Sequence, residues 1–198
     1  MTERDKAILS DLKRFRVLDR NQIIALHFQN QKQPITTCNR VMNRLVLKGL
    51  AKCDKASRPY NYFHGESNIK LTSMKVPHFK SIADFYIELC KDAKPSVFEV
   101  EIKVGDKGGI EPDAFTIWHG TPFFIEIQRS LYTQKVMQAK INRYEAYYLS
   151  QDWKDLTSKF PLIWLLSDTI YTKIEAQNVR VFQSKDVQDF KNKYMQKK

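Results

Sequence analysis

A chain of 198 residues, 42% hydrophobic and 12% aromatic, is long enough for two small domains with a core each and too apolar to be disordered. Its 33 Lys and Arg against 22 Asp and Glu leave a net charge of +11, a surface that attracts polyanions. The charged start MTERDKAILS and the lack of an apolar run near ~18 residues argue against a secretory signal and a membrane span, so no membrane partner and a cytoplasmic location are expected. Cys38, Cys53 and Cys90 are odd in number and form no CxxC pair, which predicts reduced thiols in place of a disulfide framework or a zinc site.

Along the chain, Ala7, Ile8, Leu12, Phe15 and Leu18 recur at helical spacing and predict an amphipathic helix over about 4–17. Asp19 is placed to cap a second helix from Arg20 to about Phe28, and Pro34 follows its polar end. Thr36 or Thr37 is expected to cap a third helix that buries Val41, Leu45 and Val46 and stops near Gly49. Leu50–Cys53 and Tyr60–Phe63 then read as a hairpin, with Lys55, Ser57, Arg58 and Pro59 in its turn.

Three helices and a hairpin in this order are those of a winged helix-turn-helix. On that reading the third helix enters the major groove of double-stranded DNA. Thr37, Asn39, Arg40, Asn43 and Arg44 are its candidates for base edges and phosphates, and Lys55 and Arg58 at the wing tip grip the flanking backbone. Winged helices also serve as protein-interaction modules, which is the competing reading.

Residues 67–76 lack periodicity and read as a linker between a domain over 1–66 and another over 77–198. In the second, a helix over Phe79–Cys90 precedes a strand over Val97–Val104, the turn GDKGG, a strand over Ala114–Trp118 and a third strand in FFIEIQ. A long helix over about Leu131–Leu149, a strand buried on both faces in PLIWLLS, a short helix over Thr172–Gln177, a strand over Val179–Phe182 and a helix over Lys185–Tyr194 complete it. The fold class expected is α+β, with an α/β sandwich around a mixed central sheet in the second domain.

Asp113 and Glu126 sit on neighbouring strands of this hairpin, and Gln128 shares the face of Glu126. Paired carboxylates are hard oxygen ligands of the kind Mg2+ or Mn2+ takes. Glu126 interrupts the apolar run FFIEI, where a carboxylate costs free energy unless it is paired or coordinated. Glu88 and Glu101 are candidates for a further acidic ligand.

EPDAF followed by FIEIQ resembles the PD-(D/E)XK signature of metal-dependent nucleases. The resemblance implies that Asp113, Glu126 and the carbonyl of Ile127 hold the metal, and that Gln128 stands where the motif has lysine. Glutamine can bond an attacking water but brings no positive charge, which Arg129, Lys135 or Lys140 would have to supply. Over roughly Asp5–Phe182 the chain also resembles the replication-relaxation family of plasmids and other mobile elements, through Pro112, Asp113, Ala114, Glu126, Gln128, Arg129, Ser130, Lys140 and Tyr144. That resemblance implies a DNA-binding accessory protein of replication or mobilisation, with DNA, a homodimer mate and replication or relaxase proteins as partners. Its nuclease-like domain would cleave with a divalent metal, or, in the alternative, serve a non-catalytic regulator by mediating dimerisation or protein contacts.

Overall fold

Thr2 opens the first helix: its hydroxyl accepts the Asp5 N–H at 3.2 Å while the Asp5 carboxylate accepts the Thr2 N–H at 2.9 Å, so two otherwise orphaned donors are satisfied reciprocally. Helix α1 (Glu3–Phe15) then buries Ile8, Leu9, Leu12 and Phe15. The computed structural model describes residues 1–104 and 109–195, and the chain divides into two units, 1–87 and 88–198.

In the first unit, β1 (Leu18–Asp19) leads into α2 (Arg20–His27), α3 (Pro34–Leu47), β2 (Ala51–Asp54) and β3 (Asn61–His64). The three strands form an antiparallel sheet in the order β1-β3-β2, with Ala51 opposite His64. Asp19 caps α2 as expected, accepting from Asn21 and Gln22 N–H while its own N–H donates to Gln22 Oε1. The Gln22 amide also donates to the Lys80 carbonyl at 2.9 Å and to Asp84 at 2.6 Å, which fastens α2 to the first part of α4 (Val76–Asp92).

Two turns depend on glycine. Gly49 follows α3 at φ 70°, where an L side chain is strained. A Cβ on Gly65 would lie 2.2 Å from the Gly49 carbonyl oxygen, because the Gly65 N–H donates to Leu50 at 2.8 Å and draws the two backbones together.

In the second unit, β4 (Val97–Val100), β5 (Ala114–Trp118), β6 (Thr121–Ile127), β7 (Leu162–Leu166) and β8 (Val181–Ser184) make one mixed sheet in that order. The first three run antiparallel, and β7 and β8 run parallel to β6. Helix α5 (Gln134–Ser150) covers one face, packing Met137, Ile141, Tyr144 and Tyr147 on Phe115, Phe124, Ile163 and Leu165. On the other, α6 (Val187–Phe190) sets the Phe190 ring 3.8 Å from Trp164 and 5.8 Å from Phe123. Strand β7 is buried from Ile163 to Leu166, as its unbroken apolar run requires.

Several expectations are corrected. Helix α3 starts at Pro34, without a side-chain cap from Thr36 or Thr37: proline at the first helical position removes one of the orphaned N–H donors and already has helical φ. It buries Cys38, Met42 and Leu45, leaving Val41 and Val46 half-buried. The hairpin strands fall one residue later than expected. Strand β4 ends at Val100, beyond which Glu101 takes φ 50° and a single bridge joins Val104 to Ile110. Residues 172–177 form no helix, because side chains of α5 bond their backbone in place of helical partners. The last strand spans Val181–Ser184, and the terminal helix is α6 followed by a π-helical turn at Lys191–Met195. In the turn GDKGG, residues 105–108 lie outside the described residues.

Candidate functional site

Register and alternation decide what meets at the sheet. Ala114 pairs with Ile125 at the end of the antiparallel ladder, and just beyond it Asp113 lies close enough to Glu126 for its charge to act on it. Phe115 and Phe124 face α5, and Asp113, Glu126 and Gln128 follow their parity onto that face. The Asp113 carboxylate accepts the Ile127 N–H at 2.6 Å, and its carbonyl accepts the Glu101 N–H at 2.9 Å.

Glu126 is 1% exposed. Its Oε1 accepts the Tyr144 hydroxyl at 2.5 Å, and its Oε2 pairs with the Lys140 ammonium. Lys140 and Tyr144 are four residues apart on α5, hence on one helical face. Burial pushes the Glu126 carboxyl up to about 7; the Lys140 charge opposes this and the nearby Asp113 charge adds to it. Burial, with Glu126 beside it, lifts the Tyr144 hydroxyl well above its ordinary value.

Gln128 is held away from this cluster's carboxylates by its own bonds. Its Oε1 accepts the Tyr171 hydroxyl at 2.7 Å, the same hydroxyl accepts the Tyr132 N–H at 3.2 Å, and its N–H donates to Leu166 at 2.9 Å. Thus Gln128 anchors a loop through Tyr171, and the cation paired with Glu126 is Lys140. Lys140 and Tyr144 are among the residues that carry the family resemblance; nothing local in the sequence marks Tyr171, which arrives from 43 residues away.

The donor set suits a divalent cation in kind. Mg2+ is commonly held by one or two carboxylates while water and substrate phosphates complete its shell. Asp113 and Glu126, with the Ile127 carbonyl, would hold it, and it would supply charge neutralisation at a phosphodiester. Among the described residues no group of three or more His, Cys, Asp and Glu stands together, so the protein offers such an ion these two carboxylates and little more. Glu88, a candidate for a further acidic ligand, lines a separate groove with Asp92, Asp186 and Lys191.

The nucleic-acid candidates lie in the first unit. Arg40 and Asn43 are exposed and three apart on α3, opposite buried Cys38, Met42 and Leu45, whereas Thr37 and Asn39 are half-buried. Arg44 is exposed at 46%, yet its guanidinium bonds the 4%-exposed Asp5 carboxylate at 2.5 Å. Burial by itself raises the Asp5 carboxyl, but the Thr2 N–H and the Arg44 charge outweigh it and hold Asp5 below its usual range.

Lys55 and Arg58 are exposed in the turn between β2 and β3. Asp54 shapes that turn by accepting the Ala56 N–H and the Ser57 hydroxyl, and Arg58 folds back over the Tyr60 ring at 4.5 Å. The first unit carries 16 of the 33 basic residues and 7 of the 22 acidic ones, a net charge of +9 that leaves +2 for the second.

Residues 51–163, more than half of the chain, match the family model described as replication-relaxation. The chain belongs to the replication-relaxation family. Membership suggests a role in the replication of a plasmid or other mobile element. The family match contains Asp113, Glu126, Gln128, Lys140 and Tyr144 and begins after α3. No curated protein and no solved structure is found to match the chain. Among the described residues no helix is long and apolar enough to cross a membrane.

Proposed function

We propose that this replication-relaxation protein binds duplex DNA through a winged-helix module in its first unit. The observation that carries the reading is the coincidence of the +9 charge with an α3 whose outer face offers Arg40 and Asn43 and a hairpin turn that offers Lys55 and Arg58. The element order α1-β1-α2-α3-β2-β3 and the strand order β1-β3-β2 support the module. Arg and Asn are suited to guanine and adenine edges, and the turn's cations to flanking phosphates.

Fluorescence anisotropy with labelled duplex tests this. Arg40→Ala and Asn43→Ala are each expected to weaken binding by about 1–3 kcal/mol if they read bases. Duplex affinity indifferent to both would favour the protein-interaction reading.

A second reading, phosphodiester cleavage in a PD-(D/E)XK-like second unit, is favoured by one observation: the Asp113 carboxylate lies near Glu126 just past the end of the β5–β6 ladder, and Lys140 brings a positive charge to Glu126. Supercoiled plasmid incubated with Mg2+ or Mn2+ is then nicked by the wild type and not by Asp113→Ala or Glu126→Ala. Plasmid left intact by the wild type rejects it.

A further inference from the structure

Residues 127–144 (IQRSLYTQKVMQAKINRY) hold Arg129, Lys135, Lys140 and Arg143 and not one carboxylate. This is a concentrated cationic run in a unit whose net charge is only +2. Lys140 is turned inward to Glu126, while Arg129, Lys135 and Arg143 are exposed and none of the three is in an ion pair among the described residues. Three cations left without internal counter-charges have an external anion as their natural partner.

The same run exposes apolar surface where solvent would ordinarily select against it. Leu131 is 75% exposed, Val136 50% and Tyr132 40%. Tyr132 is not loosely placed: its N–H donates to Tyr171, whose hydroxyl is fixed by Gln128, whose N–H is in turn bonded to the end of β7. Thr133, the next residue, caps α5 by accepting the Val136 N–H. An aromatic ring on a backbone anchored at its own N–H and beside a helix cap, with cations on either side in sequence, loses less freedom when a flat ligand stacks on it than one on a free loop.

We infer that the 129–143 surface binds single-stranded DNA, with Tyr132 and Leu131 as a platform for unstacked bases and Arg129, Lys135 and Arg143 tracking the phosphates. Duplex DNA would use the cations but bury its base faces, leaving the exposed ring and leucine idle; a single strand uses both. The inference goes beyond the duplex reading and does not depend on α3, since every residue it uses lies in the second unit.

The test is anisotropy of labelled dT20 with the full chain at fixed moderate salt, beside a labelled duplex of the same length. Tyr132→Ala is expected to weaken dT20 binding by about five- to tenfold, as loss of one stacking position does, and Tyr132→Phe to restore it. Lys135→Glu with Arg129→Glu weakens it further, while Arg40→Ala lowers duplex binding and leaves dT20 binding unchanged. All these side chains are exposed, so unchanged melting temperatures are expected throughout. Absence of dT20 binding in the wild type, or dT20 binding indifferent to Tyr132→Ala and to the charge reversals, overturns the inference. So does an equal loss of duplex and dT20 affinity in the Tyr132 and Lys135 variants. Failure of the α3 variant to lower duplex binding would count against the winged-helix reading alone.

Discussion

At the scale of single residues, Glu126 is the group whose surroundings do most to determine its chemistry. Its carboxyl is raised by burial, so the folded state takes up its proton more readily than the unfolded chain. The stabilisation tied to that proton is complete below the ordinary carboxylate range and is lost as pH rises toward about 7. Melting temperatures of the wild type and Glu126→Gln across this window check the sign: relative to the variant, which has no proton to lose, the wild type is expected to weaken with rising pH. Lys140→Met leaves a buried carboxylate without its cation, a change expected to cost up to about 3 kcal/mol at pH 8, the lower end for buried pairs because Lys140 keeps a side-chain exposure of 20%. By urea unfolding the deficit should shrink at pH 5.5, where Glu126 is protonated.

Glu126 stands out in the sequence because a glutamate inside FFIEI has no cheap explanation, and the strand order sets Asp113 near it, just past the end of the β5–β6 ladder. The sequence could not tell that Gln128 would spend its amide on Tyr171, since that bond joins two loops far apart in the chain. Arg44 is a similar case. The sequence offers it as a DNA contact on α3, but its guanidinium is bonded to a buried aspartate on α1, so Arg44→Ala tests stability as well as binding and Arg40→Ala is the cleaner probe.

At the scale of elements, the helices and strands followed their periodicity, and the errors fell where side chains overrule local propensity. A short helix is expected over 172–177, yet Glu145 accepts the N–H groups of Gln177, Asn178 and Val179, and Gln138 clasps the backbone of Glu175 from both sides. Glu145→Ala removes a charged acceptor with several donors; hydrogen exchange at Gln177–Val179 is expected to accelerate while β7 amides keep their protection. Exchange unchanged at these amides would mean the strap contributes nothing. Gly65→Ala is expected to destabilise the first unit by roughly 1–3 kcal/mol, because the atom met by the new methyl is a backbone oxygen that cannot swing away. A urea midpoint equal to that of the wild type would contradict the close approach of Gly65 to Gly49.

At the scale of the whole molecule, net charge points to a polyanionic partner but not to where it would bind, because composition carries no coordinates. The division into units supplies the location: most of the excess positive charge belongs to residues 1–87, and the second unit keeps a nearly balanced total. That distribution predicts a duplex affinity dominated by phosphate neutralisation in the first unit. The most direct test is the slope of log affinity against log salt for duplex DNA, compared between the wild type and Lys55→Ala with Arg58→Ala. Each phosphate that the variant no longer neutralises should lower the slope by about 0.9, so a drop of up to about 2 is expected with little change in sequence preference. An unchanged slope, or a wild-type affinity insensitive to salt, would contradict the assignment of DNA binding to this unit.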